Sequence, residues 1–256
     1  MSAPAPIHLV VTDIDGCLTR GGRFPLDLAL CQRLREWGEQ SARDASVPAL
    51  VFCTARPLPY VLALNQAIPT RLPSLVENGA VLWDPVSRRH ALNPAAPADA
   101  IDHARVLHAE AERLFAHDDD VAIEEGKMAQ VTLVPRRPGG VSIIEERARA
   151  FAARFGERLV VDRTHAVINL LPPGVNKGTG LLWLARETGI DPAQMAGIGD
   201  AASDWDFLQH CGLAAAPNDA DAELLAKPAV WRCKGGPGDV VAEVMQAAIA
   251  RNRASQ

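Results

Sequence analysis

The sequence predicts an α/β protein in which a parallel-sheet core is interrupted by an α+β insert. Three observations carry this prediction. Short continuous apolar runs alternate with longer amphipathic ones at the start of the chain. That rhythm stops near Leu82. It resumes after Pro172-Pro173-Gly174. Continuous apolar strands separated by helices belong to a parallel sheet covered on both faces. The 256 residues suffice for one large domain or a core with a smaller companion.

Taken in order, "IHLVVTD" reads as a buried strand. "LDLALCQRLREWGEQ" reads as a helix with Leu26, Leu30, Leu34 and Trp37 on one face. "PALVFCTAR" and "SLVENGAVLW" are further buried strands, with the short helix "LPYVLALNQAI" between them. The insert opens proline-rich and polar, then continues as a helix from about Ala98 to Phe115. A strand pair follows around Gly126, then a helix with Ile143, Ile144, Ala148 and Phe151 as its buried stripe, then two strands around Asp162-Arg163. With a strand at its start, the segment reads strand, helix, strand, strand, helix, strand, strand, an approximate duplication. The final section alternates again: helix "NKGTGLLWLARETGI", strand "QMAGIGD", helix "SDWDFLQHC", strand "GLAAAPND", helix "DAELLAK" and closing helix "DVVAEVMQAAIARNRA".

Composition excludes several classes. Hydrophobic residues at 48% and charged residues at 22% are ordinary globular values. A net charge of −5 gives no general attraction for nucleic acid or anionic membrane, so an anionic ligand must be drawn by a local site. Five scattered cysteines without a CxxC pair argue against a disulfide framework and a cysteine zinc site; reduced thiols in a cytoplasmic protein are expected. "MSAPAPIHLV" lacks the basic and long apolar regions of a secretory leader, and no apolar run reaches the ~18 residues of a membrane span.

In an open parallel sheet, ligands bind outside the carboxyl ends of the strands. Those ends carry Asp13-Ile14-Asp15-Gly16, Thr54-Ala55-Arg56, Glu77-Asn78-Gly79 and Gly199-Asp200, with Asp204 a turn further on; Lys177 opens the helix after the insert. Alternation along the strand puts Asp13 and Asp15 on one side and turns Ile14 into packing. Carboxylates gathered this closely repel unless a cation joins them, and an oxygen-only donor set suits Mg²⁺. Thr54, Arg56 and Lys177 add a hydroxyl and two positive groups, which together with the metal would surround a phosphoryl group.

These residues resemble the motifs of the haloacid dehalogenase superfamily: "DIDG" its first, Thr54 its second, Lys177 its third and "GDAASD" its fourth. The duplicated insert between the second and third is similar to the α/β type 2 cap of the Cof-like branch. The resemblance implies a Rossmann-like core of residues 1–82 and 173–256, with a cap of residues 83–172. It implies a Mg²⁺-dependent phosphatase that hydrolyses a small phosphomonoester, a sugar phosphate or phosphoglycolate-like acid, through an aspartyl-phosphate. Asp13 would be the nucleophile and Asp15 the general acid and base. Thr54 and Lys177 would hold phosphoryl oxygens. Asp13, Asp15 (by its main-chain carbonyl), Asp200 and Asp204 would form the metal site. Arg56 is read as substrate-facing, Asn218 as lining the site or capping the next helix, and Lys127 and His165 as cap residues placed where they could reach the substrate. The partner expected is a small phosphorylated metabolite, with neither nucleic acid nor membrane; the oligomeric state is not legible.

Alternatives are a phosphomannomutase-like phosphoryl-transfer enzyme and a non-catalytic phosphometabolite-binding protein. "GIGDAA" also fits a dinucleotide fingerprint with Asp219 beyond it, but Asp200 would then face a pyrophosphate with its own negative charge. "TAR" stands where the family more often has T-G-R, and Ser203 where many relatives carry Asn. Arg88-Arg89, Arg136-Arg137 and the run Asp118 to Asp120 read as solvated.

Overall fold

The computed structural model describes residues 5–255; residues 1–4 and 256, which include the start of the leader reading and the outer ends of the expected core segments, lie outside the described residues. The first strand, β1 (Leu9–Thr12), is fully buried and lies at the heart of a parallel sheet. On one side it pairs with β2 (Ala49–Phe52). On the other it pairs with β10 (Met195–Ile198), followed by β11 (Leu213–Ala216) and β12 (Val230–Arg232). Strands from opposite ends of the chain are thus neighbours, so the motif residues that end β1, β2 and β10 come out side by side.

Helices cover both faces, as continuous apolar strands require. One face packs against α1 (Leu28–Ser41), α2 (Leu58–Ala67) and α8 (Asp239–Ala254). The other packs against α5 (Lys177–Thr188) and the short α6 (Trp205–Leu208) and α7 (Ala222–Leu225). Asp27 caps α1 by accepting from the amides of Ala29 and Leu30, donors the helix itself leaves open. Asn176 caps α5 in a reciprocal box with Thr179, which fixes Lys177 as the first helical residue.

The next strand, β3 (Ser74–Val76), lies parallel to the end of β2 through a bridge at Cys53 and Leu75, then pairs antiparallel with the hairpin β4 (Val81–Asp84) and β5 (Arg89–Leu92). The expected start of the insert, residue 83, falls inside β4. Beyond the hairpin come α3 (Ala100–Phe115), β6 (Val121–Ile123), β7 (Val131–Pro135), α4 (Val141–Ala153), β8 (Val160–Arg163) and β9 (Ile168–Leu171). The strands form an antiparallel sheet in the order β6-β7-β9-β8, and the helices bury a separate apolar core on it, including Leu107, Phe115, Ile144 and Phe151.

Several details differ from the sequence reading. Leu26 precedes the cap of α1 and is exposed, so the buried stripe there begins at Leu30. Ile143 is exposed, because one turn of helix cannot point adjacent residues the same way; Ile144 takes the core. Asp162 and Arg163 lie within β8, and the chain reverses at residues 164–167 instead. The edge strand β12 is too short and half-buried to show a pattern. Asp118 is no idle turn acid: it accepts from the amides of Asp120 and Val121 and pairs with Arg147. No helix is long and apolar enough to cross a membrane among the described residues. The five cysteines are free thiols.

Candidate active site

The site lies between core and insert, in a cavity of about 490 Å³. From the core it is lined by Asp13, Asp15, Thr54, Arg56, Lys177 and Asp200, and from the insert by Glu124, Pro135, Thr164 and His165. Arg20 and Arg23, on the loop after β1, also line it.

Asp13 and Asp15 flank Ile14, which is fully buried in the core. That burial is worth about 1.5–3 kcal/mol and fixes the register that turns both acids outward. Gly16 follows with φ +79, and a Cβ there would overlap the Asp200 carboxylate. Only glycine combines that backbone with so close an approach. A second close approach, of Gly79 (φ +83) to Gly180 and the Asn176 carbonyl, seats the start of α5 against the loop after β3.

Lys177 thereby reaches the end of β1. Its Nζ donates to Asp13 Oδ2 at 2.7 Å and to Asp204 Oδ1 at 2.5 Å. Burial alone would depress this ammonium, but Asp13 and Asp204 outweigh it and hold Lys177 well above the ordinary lysine range. Asp13 Oδ1 accepts from the Ile14 amide at 2.6 Å. Burial, only partly offset by Lys177, pushes Asp13 up to about 6. The other oxygen of Asp204 accepts from the amides of Asp200 and Ala201, so the "GDAASD" turn is tied to its own last residue.

Asp200 is different. Among the described residues its side chain accepts only a long contact from the Cys17 thiol, at 3.7 Å. Burial, then the charges of Asp204 and Asp13, push it up to about 9. One oxygen from each of Asp13, Asp200 and Asp204 lies within 4.8 Å of the others. Three carboxylates face one ammonium, which leaves a deficit that a hard divalent cation with oxygen ligands fits.

The loop after β2 carries the other groups. Thr54 is fully buried and its hydroxyl accepts from the Arg56 amide. Arg56 forks onto Asp15, with Nε at 2.6 Å from Oδ2 and Nη2 at 2.8 Å from Oδ1, while Nη1 donates to Glu124 Oε1 at 3.1 Å. Its bond to Asp15 holds the guanidinium above its usual range.

Two expected substrate residues lie elsewhere. Asn218 is exposed, and its side chain donates to the Lys234 carbonyl, bracing the loop before α8. The Lys127 ammonium is fully buried and is used up on Glu124 at 2.9 Å and the Ala55 carbonyl at 2.5 Å. It ties insert to core and does not face the cavity. His165 does line the cavity, from the reversal between β8 and β9. The buried Glu77 carboxylate accepts from the amides of Met128 and Ala129. The sequence reading placed Glu77 at a strand end but gave it no role, and it missed Glu124. An i,i+3 acid and lysine across Gly126 was the only hint, and it says nothing of Arg56.

A parallel-sheet core with this acid cluster at its strand ends and an α+β module above it is the arrangement that the resemblance of the motifs to the haloacid dehalogenase superfamily implies. Residues 139–230 match the family model described as haloacid dehalogenase-like hydrolase. The phosphoglycolate phosphatase of Methanococcoides burtonii is 27% identical over 219 residues, 86% of this chain and 87% of that one. In fold, a crystal structure from Thermoplasma acidophilum superposes with a TM-score of 0.71 at 15% identity, covering 95% of this chain and 99% of that one. The sucrose-phosphatase of Synechocystis, solved with sucrose and phosphate, gives 0.65 at 14% identity, covering 95% and 98%. The chain is thus similar to the haloacid dehalogenase-like hydrolases, and the curated relatives it matches are phosphatases.

Proposed function

We propose that the chain hydrolyses a small phosphomonoester bearing a second acidic group, a phosphoglycolate-like acid, with Mg²⁺ as cofactor and an aspartyl-phosphate on Asp13 as intermediate. The observation that carries this reading is the convergence of Asp13, Asp15, Lys177 and Asp200 on one cavity beneath the insert. The Asp13 side chain attacks phosphorus, and its Oδ2 is held in place by Lys177. Asp15 gives its proton to the departing alcohol, then takes one from the water that cleaves the acyl phosphate. Lys177 and the Thr54 hydroxyl hold phosphoryl oxygens. Asp13, Asp200 and the Asp15 carbonyl would hold the metal, which supplies charge neutralisation at the phosphoryl oxygens. Asp204, already engaged by Lys177 and two amides, positions Lys177 and the Asp200 backbone. The insert acts as a cap that keeps bulk water from the intermediate.

Support for an acidic substrate comes from the cavity wall. Arg20, Arg23, Arg56 and His165 all line the cavity, in a chain whose net charge is −5. The relative from Methanococcoides burtonii is named for such a substrate. The test is phosphate release from phosphoglycolate and from neutral sugar phosphates, with Mg²⁺ and with chelator, for wild type and Asp13→Asn. The expected result is metal-dependent release favouring phosphoglycolate, reduced by about 10⁴-fold or more in the variant. Equal rates for the two proteins would overturn the assignment. Exchange between sugar-phosphate isomers without net release would favour a mutase.

A further inference from the structure

We infer that Glu124 of the cap is a positioning residue for the reaction, acting through Arg56 on Asp15; this rests on the role of Asp15 as proton donor given above. A guanidinium is a rigid planar fork, so fixing one arm fixes where the others point. Two arms of Arg56 grip Asp15, and Glu124 holds the third at 3.1 Å. The Tyr60 ring lies under the same guanidinium, 4.9 Å from its carbon.

Glu124 is itself anchored. Its second oxygen takes the buried Lys127 ammonium at 2.9 Å, and Lys127 also donates to the carbonyl of Ala55, the residue before Arg56. Arg56, Glu124, Lys127 and Ala55 therefore close a ring between the cap turn at Gly126 and the core loop after β2, and Arg56 holds Asp15 from that ring. The seat of the cap and the aim of the Asp15 carboxyl are one piece of structure. Glu77 reinforces that seat by accepting from the amides of Met128 and Ala129 in the same turn.

This predicts a leaving-group signature. An alkyl oxygen is a poor leaving group unless it is protonated as the P–O bond breaks, and that proton comes from Asp15. A p-nitrophenolate departs without it. Misplacing Asp15 thus slows an alkyl phosphate far more than an aryl phosphate, whereas a loosened cap slows both alike. The experiment measures kcat/KM, which reports steps up to departure of the leaving group, for phosphoglycolate and p-nitrophenyl phosphate. The proteins are wild type, Glu124→Gln, Arg56→Ala and the double variant, with Tm recorded for each. Glu124→Gln is expected to lose roughly tenfold more on phosphoglycolate than on the aryl ester, and to change that ratio no further in the Arg56→Ala background. Equal losses on the two substrates, or a ratio that multiplies in the double variant, would overturn the inference. If Glu124→Gln fails to fold, Glu124→Asp, which keeps the charge beside Lys127 but draws back from Arg56, is read the same way. A wild type that releases phosphate from neither ester overturns the reading beneath the inference, and the inference with it.

Discussion

The ammonium of Lys177 lies 2.7 Å from Asp13, although 164 positions separate them in the sequence. Strand β1 delivers one partner and the first turn of α5 the other, and the Gly79–Gly180 approach sets the distance between them. A buried ammonium shared by two carboxylates is the arrangement whose loss leaves the most uncompensated charge behind.

Lys177→Met removes that ammonium and leaves Asp13 and Asp204 facing each other in the interior. Breaking a buried pair in this way costs about 3–5 kcal/mol, which lowers Tm by ~10 °C in a chain of this size. A donor to phosphoryl oxygens goes as well, so kcat/KM for phosphate release falls by about 10²–10³-fold or more. Retention of more than about a tenth of the activity would remove Lys177 from the proposed machinery.

What the sequence made legible follows from where the physics is local. Asp13, Ile14 and Asp15 lie just past the end of β1, yet the alternation carried on from that strand was enough to find them, and Lys177 needed only the start of a capped helix. The duplicated order of the insert survived for the same reason, since each of its elements carries its own apolar pattern. Lys127 and Asn218 could not be placed, because a polar residue at a turn has no periodicity to say which partner it faces. The structure gives Lys127 to a carbonyl and a carboxylate, and Asn218 to the Lys234 carbonyl. Glu124 was invisible because its meaning depends on Arg56, 68 positions away and on the other module.

Glu77 gives a pH dependence that reads the seat of the cap without touching the metal site. Burial, outweighing the amides of Ala129 and Met128 and the charge of Lys127, holds this carboxyl above the ordinary glutamate range. The folded protein therefore keeps a proton that the unfolded chain releases near pH 4.3. Stability from this group is fully present below that pH and is lost as pH rises through the higher folded value. Urea unfolding of wild type and Glu77→Gln, run in chelator across pH 4 to 7, should show wild type losing ground to the variant as pH increases, then a plateau. A difference that is flat, or that grows in favour of wild type, would contradict the assignment.

Asp200 tests the metal directly. Among the described residues its carboxylate has only a distant thiol for a partner, and burial beside Asp204 and Asp13 pushes it up to about 9. A cation that binds the folded state and not the unfolded one adds RT ln(1 + [L]/Kd) to stability, so Mg²⁺ at about 100 times its Kd is worth about 2.7 kcal/mol. Wild type is therefore expected to show a Tm that climbs with Mg²⁺ and turnover that stops in chelator. Asp200→Asn keeps the shape of the side chain while removing a carboxyl that must give up its proton to take a cation. Without metal it should melt no lower than wild type, and its Tm should rise much less with Mg²⁺. The Mg²⁺ concentration for half-maximal activity should increase about 10–100-fold or more, since loss of a ligand exceeds the cost of losing an outer-shell partner. If the variant matched wild type in its Mg²⁺-induced Tm shift, Asp200 would not be a ligand. The acid cluster would then be held together by protons and Lys177 alone.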